Sequence, residues 1–351
     1  MASQICPFRL SEVCETAIHL IKNPKHDLFS TLPAPDFAGG GIILFDHDEL
    51  EKIYETGRGS IRVRSKYRYD EKSHTIEVIE IPATTTVEAI MDKIVDLVKS
   101  RKITEISDIR DETDLSGLKL AIDIKRGADP DALMQKLFRM TPLEDPFAAN
   151  FNVLIAGFPK VLGVRDLLLE WVAFREECVK RRVYFDLGVK KDKLHLLRGL
   201  EKILLDIDKA IRIVRETESE IEVVPNLMIG FGIDQIQADY VAEIKLRHLN
   251  REYILKRTAD IADLVKEITE LEGILADPKK IDQIIVDELK EVSKKYGQPR
   301  RSEISYVTEE PEAPEEESVS DYPVTLFFTR EGYFKKITPQ SLRMSGEQKL
   351  K

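Results

Sequence analysis

The sequence predicts an α+β protein in which a mixed half of short strands and helices is followed by a pair of long helices. Up to about residue 159, alternating apolar residues are separated by turn-forming residues, which is typical of strands mixed with short helices. Residues 164–217 then contain no proline and carry apolar residues at helical spacing. The 351 residues, 42% of them hydrophobic, suffice for about two domains of roughly 150 residues.

The first elements are defined by apolar spacing and by helix breakers. Residues 11–22 have the pattern of an amphipathic helix with Ser11 as its N-cap, and residues 41–45 form a short apolar strand. A dense polar cluster, residues 46–49, precedes a helix that contains Leu50 and Ile53. This cluster either begins the helix, because acidic residues favour a helix N-terminus, or binds a cation. Further along we expect a helix at 87–100, a strand at 119–125 and a helix at 130–138.

The segment GRGSIRVRSKYRYD, residues 57–70, is the best candidate for contacts with phosphates. Its cations are Arg58 in the preceding turn and Arg62, Arg64, Lys66 and Arg68 along the strand. Because they alternate with apolar residues, a single strand would carry one basic face, with cations about 7 Å apart, close to the spacing of phosphates along a DNA strand. The alternative is a solvated sheet face on which these cations pair with acids such as Glu77 and Glu80. Residues 74–81 complete a hairpin with this strand.

Two later stretches have the heptad spacing of paired helices. The first seam is Leu197, Leu200, Leu204, Ile207, Ile211 and Val214, and the second is Ile254, Ile261, Leu264, Ile268, Leu271 and Leu275. The two helices are therefore expected to pack antiparallel, with residues 220–252 forming a small cap between them. This cap contains apolar residues without a large domain to bury them, which favours a dimer contact.

Near its end the chain changes composition twice. Residues 302–321 include TEEPEAPEEES, an acidic and proline-rich run that is typical of a linker. Residues 322–337 return to a β-like composition, so we expect residues 322–351 to be the first strands of a further domain.

Composition and motifs exclude several classes of function. The net charge of -10, from 53 basic and 63 acidic residues, requires any basic surface to be local. Three unevenly spaced cysteines without a CxxC pair argue against disulfides and zinc and fit a reducing cytoplasm. No apolar stretch is long enough for a membrane span. The six histidines are scattered and no catalytic motif is recognisable, so the sequence offers no self-contained active site.

Seven segments together are similar to the A subunit of bacterial type IIA DNA topoisomerases, that is, the A subunit of DNA gyrase or of topoisomerase IV. The matching segments are MASQICPFRL, PAPDFAGGGIIL, TGRGSIRVRSKYR, IEIPATTT, ISDIRDETDLSGLKLAIDIKR, REECVKRR and YGQPRRSEI, in order over nearly the whole chain. The resemblance implies a tower domain, a long antiparallel coiled-coil hairpin and a helical exit-gate cap that dimerises.

The same resemblance implies a division of the chain into seven parts. They are a helical remnant joining a winged-helix domain to the tower (1–36), the tower domain (37–158), the first coiled-coil helix (159–219), the exit-gate cap (220–252), the returning helix (253–301), the acidic linker (302–321) and the start of a C-terminal β-pinwheel (322–351). No Gln-Arg-Arg-Gly-Gly-Lys-Gly box follows Pro339, which favours a topoisomerase-IV-like protein but leaves gyrase open.

The family is an ATP-dependent isomerase that cleaves a duplex through a tyrosine phosphoester, passes a second duplex and reseals the first. The resemblance places that tyrosine upstream of Met1, so this chain alone is expected not to cleave DNA and to be a truncated or mis-started member of the family. It implies no cofactor in this chain, with Mg²⁺ and ATP held by the partner B subunit. The expected partners are duplex DNA, a second copy through the cap, and the B subunit, with no membrane and a cytoplasmic location.

For individual residues, the resemblance assigns Ile5 to the apolar wedge that unstacks base pairs and bends the cleaved segment. The alternative for Ile5 is ordinary packing beside Pro7. It also assigns Arg58, Arg62, Arg64, Lys66 and Arg68 to phosphate contacts of the tower. A function from another class stays open, namely a coiled-coil adaptor that dimerises and scaffolds without DNA.

Overall fold

The computed structural model of the protein describes residues 4–115, 117–245, 251–306, 323–328, 330 and 332–344. The chain divides into two compact units, Met1–Val307 and Thr308–Lys351. In the first unit the helices are α1 (Leu10–Lys22), α2 (His47–Thr56), α3 (Val87–Lys99), α4 (Pro130–Met140), α5 (Val164–Leu204), α6 (Ile207–Glu216), α7 (Glu220–Phe231), α8 (Gln235–Ala242), α9 (Arg251–Ala276) and α10 (Pro278–Tyr296). Its strands are β1 (Ile42–Leu44), β2 (Arg58–Arg64), β3 (Lys66–Asp70), β4 (Thr75–Glu80), β5 (Ile106–Asp111), β6 (Leu120–Ile124), β7 (Glu144–Asn150), β8 (Asn152–Ile155), β9 (Phe158–Val161) and β10 (Glu303–Ser305). The α+β class and the long helix are thus confirmed.

One four-stranded sheet has the order β10-β1-β2-β7. Strand β10 runs parallel to β1, whereas β2 is antiparallel to both of its neighbours. Residues of β2 alternate between burial and exposure, and the buried ones, Ile61 and Val63, pack into a core shared with α1 and α2. Strand β10 begins within the stretch that the sequence assigns to the acidic linker, and it is tied to the first sheet by the buried Ser302 hydroxyl, which accepts from Phe37 N at 2.8 Å.

A second four-stranded sheet has the order β3-β4-β6-β5, with all neighbours antiparallel. Its apolar face packs against α3 and α4 in a separate core that contains Ile76, Ile90 and Leu137. The predicted helices at 87–100 and 130–138 and the predicted strand at 119–125 are confirmed with shifts of one or two residues. The hairpin predicted with residues 74–81 is confirmed for β3 and β4 only.

The prediction of one continuous basic strand is wrong, because the chain leaves the first sheet after Arg64 and enters the second at Lys66. Ser65 is fully buried at this junction, and its backbone N–H donates to the Leu143 carbonyl at 2.7 Å. The apolar residues on either side have the same parity, yet Val63 belongs to the first core and Tyr67 packs against the second. Alternation alone cannot reveal that two cores share one apolar pattern.

Helix α5, with 41 residues, pairs with the returning helices α9 and α10 in antiparallel orientation. Two ion pairs show that the helices run in opposite directions. Lys190 contacts Glu267 at 2.5 Å, whereas Arg182, which is earlier in α5, contacts Glu288, which is later in the chain, at 2.8 Å. The buried contacts include the predicted seam residues Leu197, Leu200, Leu264 and Ile268. The first part of the first predicted seam, up to Leu204, therefore packs against the second seam.

The first coiled-coil helix expected over residues 159–219 is not one helix. Helix α5 ends at Leu204, and Asp206 starts α6 as an N-cap that accepts from Lys209 N at 3.0 Å. The later seam residues Ile211 and Val214 are nearly half exposed, at 45% and 46%. Helices α6, α7 and α8 instead form a small core with the end of α5. The N-cap Asp206 thus starts a new helix inside the heptad pattern, so the helix α5 is shorter than the pattern.

Two helix starts test the capping arguments. The Asp46 carboxylate accepts from the backbone N–H groups of Asp48 and Glu49, so the polar cluster at 46–49 is the start of α2, as one of the two alternatives predicted. Helix α1, in contrast, begins at Leu10 with Arg9 in the cap position, and the predicted cap Ser11 lies inside the helix with its hydroxyl unpaired and buried.

The second unit contains β11 (Thr325–Phe328), β12 (Phe334–Ile337) and α11 (Pro339–Met344). The two strands form an antiparallel hairpin in which Thr325 lies opposite Ile337. The β-like composition of this segment therefore does form strands.

Candidate nucleic-acid interface

One face of β2 is polar and basic. Arg58, Ser60, Arg62 and Arg64 alternate with the inward-facing residues Ile61 and Val63, which are 3% and 1% exposed. Across the sheet the neighbours on β7 are Asn150, Ala148, Pro146 and Glu144, in that order. Three guanidinium groups therefore lie along one strand, with the carboxylate of Glu144 opposite the last of them.

Arg58 begins this face at the end of α2. The preceding Gly57 has a φ of 72° and ends α2 in the left-handed conformation, and a Cβ at this position would clash with the Leu162 carbonyl. Arg58 is exposed, and it forms no ion pair with any residue that the structure describes. Of the five predicted cations, it therefore offers its charge most directly to solvent.

The segment that carries Ile5 lies at the same end of the sheet as Arg58. The carbonyl of Gln4 accepts from Asn150 N at 2.8 Å, and Asn150 is the cross-strand partner of Arg58. The Ile5 side chain is half buried against the first core, next to the buried Cys6. The segment that contains Ile5 thus lies at the same end of the sheet as Arg58, and the Ile5 side chain makes packing contacts with the core.

Arg62 and Arg64 share one carboxylate. Arg62 Nη1 lies 3.3 Å from Glu144 Oε1, and Arg64 Nε lies 2.8 Å from Glu144 Oε2. The Arg62 side chain is 55% exposed, whereas Arg64 is 17% exposed and its guanidinium stands 4.6 Å above the centre of the Phe138 ring. The two arginines therefore occupy different environments, although they are two residues apart on one strand.

Lys66 and Arg68 lie on the second sheet, each beside a carboxylate. Lys66 Nζ is 3.1 Å from Glu303 Oε2, and this hydrogen bond raises the pKa of Lys66. Glu77 is bonded by both Lys119 and Arg68, and these two donors, Lys119 first, lower the pKa of Glu77. The predicted alternative of pairing with acids is thus correct for Arg68 and Glu77. Glu80 accepts instead from Gly41 N at 2.6 Å.

These ion pairs differ in their exposure. The Lys66–Glu303 pair is exposed on both sides and contributes only about 0–1 kcal/mol, so an incoming phosphate could replace its carboxylate at small cost. The carboxylates of Glu144 and Glu77 are each only 13% exposed. Exposure then ranks the cations: Arg58, Arg62 and Arg68 are open, Lys66 is intermediate and Arg64 is mostly covered. We therefore expect Arg64 to differ from the others in its role.

The sequence did not indicate two groups that shape this region. Glu144 lies far from Arg64 in the chain, and only the β2–β7 register brings them together. Arg300 donates to Glu12 Oε2 at 2.5 Å and to the carbonyls of Ala34 and Pro35, which ties the chain after α10 to α1. The only sequence signal for Arg300 was its place in the YGQPRRSEI segment.

In the parts of the chain that the structure describes, no group of three or more His, Cys, Asp or Glu side chains is arranged to hold a metal ion. Of the helices described, none combines the length and the apolar character needed to cross a bilayer.

A basic strand beside an N-terminal apolar segment, on an α+β body with a long helical pair, fits a protein that handles nucleic acid. The family model for the A subunit of DNA gyrase/topoisomerase IV matches residues 1–290. The chain therefore belongs to the family of DNA gyrase and topoisomerase IV A subunits.

Several relatives, each named as the A subunit of DNA gyrase, align over nearly the whole chain. That of Borreliella burgdorferi is 31% identical over 99% of this chain and 43% of its own length. That of Clostridium acetobutylicum is 35% identical over 96% of this chain and 41% of its own, and that of Staphylococcus aureus is 32% identical over 98% and 39%. The chain thus spans about two fifths of the length of these relatives.

Proposed function

We propose that this chain is the DNA-holding and dimerising part of the A subunit of a type IIA topoisomerase, which is an isomerase, and that it binds and bends duplex DNA. The observation that carries the proposal is the position of the segment with Ile5 at the same end of the first sheet as Arg58, with Arg62 further along the strand that carries Arg58. Membership of the gyrase and topoisomerase IV family supports it. The arginines would bind phosphates, which fixes the position of the duplex without reading its sequence.

In this proposal Ile5 is the group that unstacks the bases. Unstacking one base step costs a few kcal/mol, which the additional phosphate contacts along a bent duplex offset. The backbone hydrogen bond from Asn150 to Gln4 would hold the wedge in a fixed position relative to Arg58. Lys66 and Arg68 on the second sheet would contact the flanking duplex once it is bent towards them.

The helical part would form the other half of the function. Helices α5, α9 and α10 correspond in this proposal to the coiled coil of the family, and α6 to α8 to the exit-gate cap that contacts a second copy. Strand cleavage is assigned to none of the described residues, so this chain alone is expected to be inactive in cleavage. In the complete enzyme the B subunit would supply ATP and Mg²⁺.

The proposal is tested by the salt dependence of DNA binding. We expect the Arg58→Ala variant to bind a fluorescently labelled duplex more weakly, and the slope of log K against log salt to fall by about 0.9, because one phosphate contact is lost. The matched control is Arg101→Ala, since Arg101 is also exposed but lies in the loop before β5, the edge strand of the second sheet. If the wild type shows no salt-dependent binding, or if both variants change it equally, the protein is better described as a dimerising adaptor.

A further inference from the structure

Residues 66–142, called here the insert, interrupt the first sheet. The chain leaves that sheet at Ser65, after β2, and returns to it at Leu143, before β7, and β2 and β7 are neighbours in the sheet. Among the residues that the structure describes, the buried side chains of the second core come from the insert and from Leu143, and those of the first core come from outside the insert. The insert thus folds around a core of its own.

The two points at which the chain crosses between the sheets lie side by side. The backbone N–H of Ser65 donates to the Leu143 carbonyl at 2.7 Å, and both residues are fully buried. The buried hydroxyl of Ser65 has no hydrogen-bond partner among the described residues, so this side chain does not fix the crossing. Two adjacent crossings between units with separate cores are typical of a hinge, in which a few residues at the ends of elements take up the rotation.

On the other half of the first sheet, two polar contacts join the insert to the region of β1 and β10. Glu80 Oε2 accepts from Gly41 N at 2.6 Å, and Lys66 Nζ lies 3.1 Å from Glu303 Oε2. Lys66 is opposite Glu80 in the β3–β4 register, and the Gly41 carbonyl accepts from Glu303 N at 2.9 Å. A pair of residues on the insert therefore faces a pair of neighbouring residues on the first sheet. These two contacts are called here the latch.

The turn before β1 is shaped to receive the Glu80 carboxylate. Gly40 and Gly41 have φ values of 77° and 91°, in the left-handed region that favours glycine, and a Cβ on Gly40 would collide with that carboxylate. Turns of this kind can bring backbone N–H groups close to an anion. Here the anion is a side chain of the insert, so the turn and the insert fit each other.

We infer that the insert rotates as one unit about Ser65 and Leu143, that the latch holds it in the arrangement described here, and that its angle to the first sheet sets the bend of a bound duplex. The last step rests on the proposed function, which places Arg58 of the first sheet and Arg68 of the insert along one duplex. Glu80 is then a positioning residue, because it acts on DNA only through the cations of the insert.

The geometry of the first sheet explains why the latch controls the angle. In the order β10-β1-β2-β7, β1 and β10 lie about 5 Å and 10 Å from β2, whereas both crossings lie at β2 and β7. Rotation about the crossings therefore separates the latch contacts. Because neither core spans the two units, this rotation opens neither of them.

The first experiment measures the hinge in the full chain without DNA. Spin labels at Glu51→Cys on α2 and Glu88→Cys on α3, both exposed positions, report the distance between the first sheet and the insert. A reference pair, Glu51→Cys with Lys160→Cys on β9, lies outside the insert. The half-buried Cys178 is replaced by serine in every sample, and the other two cysteines are buried.

We expect the latch variant, Glu80→Ala with Glu303→Ala, to widen the distance distribution of the hinge pair about twofold and to leave the reference pair unchanged. Glu80→Gln keeps an acceptor for Gly41 N and is expected to behave like the wild type. The matched control is Glu71→Ala, since Glu71 is an exposed acid in the turn between β3 and β4 and forms no ion pair with any described residue.

The second experiment uses a linear duplex with a donor dye at one end and an acceptor dye at the other. The latch variant removes no cation, so we expect its affinity for the duplex to stay within about threefold of the wild type. We expect the mean energy transfer between the ends to change, because the insert no longer keeps one angle. A merely structural role of Glu80 would change affinity and leave the bend of the bound duplex as it is.

Three results would overturn the inference. Equal widths for the hinge pair in the wild type and the latch variant mean that the insert and the first sheet form one rigid body. Equal widening of the hinge and reference pairs means that the variant disrupts the fold and opens no hinge. A wider hinge pair with unchanged energy transfer means that the hinge does not set the bend. If neither protein binds the duplex, the proposed function fails and the bending step fails with it, whereas the measurement without DNA still decides the hinge.

Discussion

Single carboxylates in this protein acquire their properties from arginines that lie far away in the chain. Glu288 on α10 accepts from Arg175 at 2.6 Å and from Arg182 at 2.8 Å, both on α5. Burial alone would raise the pKa of Glu288, but the hydrogen bonds from the two arginines outweigh it and hold the pKa below its usual value of 4.5. Glu144 has the same arrangement of one carboxylate between two arginines on the β2 face.

The lowered pKa of Glu288 predicts a pH-dependent stability. Because the carboxylate is favoured in the folded state, its contribution is fully present above pH 4.5 and is lost as the pH falls through the lower folded-state pKa. We expect Glu288→Gln to be less stable than the wild type near pH 7 by about 1 kcal/mol, a value limited by solvent screening, and the difference to disappear in acid. Urea unfolding midpoints over a pH series would measure it.

The matched control is Glu291→Gln, an exposed glutamate on the same helix without an ion pair among the described residues. It is expected to leave the midpoint unchanged at every pH. If Glu288→Gln and the wild type differ by the same amount at pH 3 and pH 7, or do not differ at all, the two hydrogen bonds from α5 do not stabilise the ionised form.

For single residues, the sequence predicted which side chains of β2 face outwards, because successive side chains of a strand point to opposite faces. It did not predict which of the exposed cations are covered. The exposure of Arg64 is set by Phe138 from α4 and Glu144 from β7, and neither contact leaves a trace in the local pattern. The difference between Arg62 and Arg64 therefore appears only with the tertiary register.

Among the secondary-structure elements, α5 shows where a heptad pattern stops describing a helix. Leu200 is fully buried between α5 and α9, whereas Ile211, on the same predicted seam, is 45% exposed on α6. The pattern is continuous through both residues, but Asp206 caps a new helix between them. Apolar spacing thus predicted the pairing of α5 with α9, and an N-cap that the spacing ignored decided where α5 ends.

This difference predicts unequal effects of two truncations. Leu200→Ala removes a fully buried side chain and is expected to destabilise the protein by about 2–5 kcal/mol, including the cavity that it leaves. Ile211→Ala removes a half-exposed side chain and is expected to cost less than about 1 kcal/mol. Helical circular dichroism during urea unfolding would compare them. Equal losses would mean that the seam continues past Leu204.

The two sheets show where an apolar pattern also stops describing strands. Helices α3 and α4 and strand β6 were predicted to within about two residues, because each packs on one core and ends at clear breakers. Strands β2 and β3 were merged into one, because their apolar residues share a parity although they belong to different cores. A one-dimensional pattern cannot assign a residue to one core or another.

In the molecule as a whole, helices α7 and α8, called here the distal helices, are among the elements that expose large apolar side chains. Ile221 and Ile229 on α7 and Ile236 on α8 are 86%, 83% and 66% exposed. Large apolar side chains exposed together are typical of an interaction site. In the proposed function this surface contacts a second copy, which completes a closed two-fold dimer and leaves the basic sheets free for DNA.

The dimer proposal is tested by placing a charge in that surface. We expect the wild type to sediment as a dimer and Ile229→Asp to raise the dissociation constant about a hundredfold, because an unpaired carboxylate would be buried at the contact. Leu154→Asp is the matched control, since Leu154 is 72% exposed on β8, outside the distal helices. Analytical ultracentrifugation over a range of concentrations distinguishes the outcomes. A wild type that stays monomeric, or a Leu154→Asp variant that dissociates as readily as Ile229→Asp, would show that α7 is not the dimer contact. If Ile229→Asp does produce a monomer, its DNA binding is expected still to depend on Arg58, because the basic face lies within one copy.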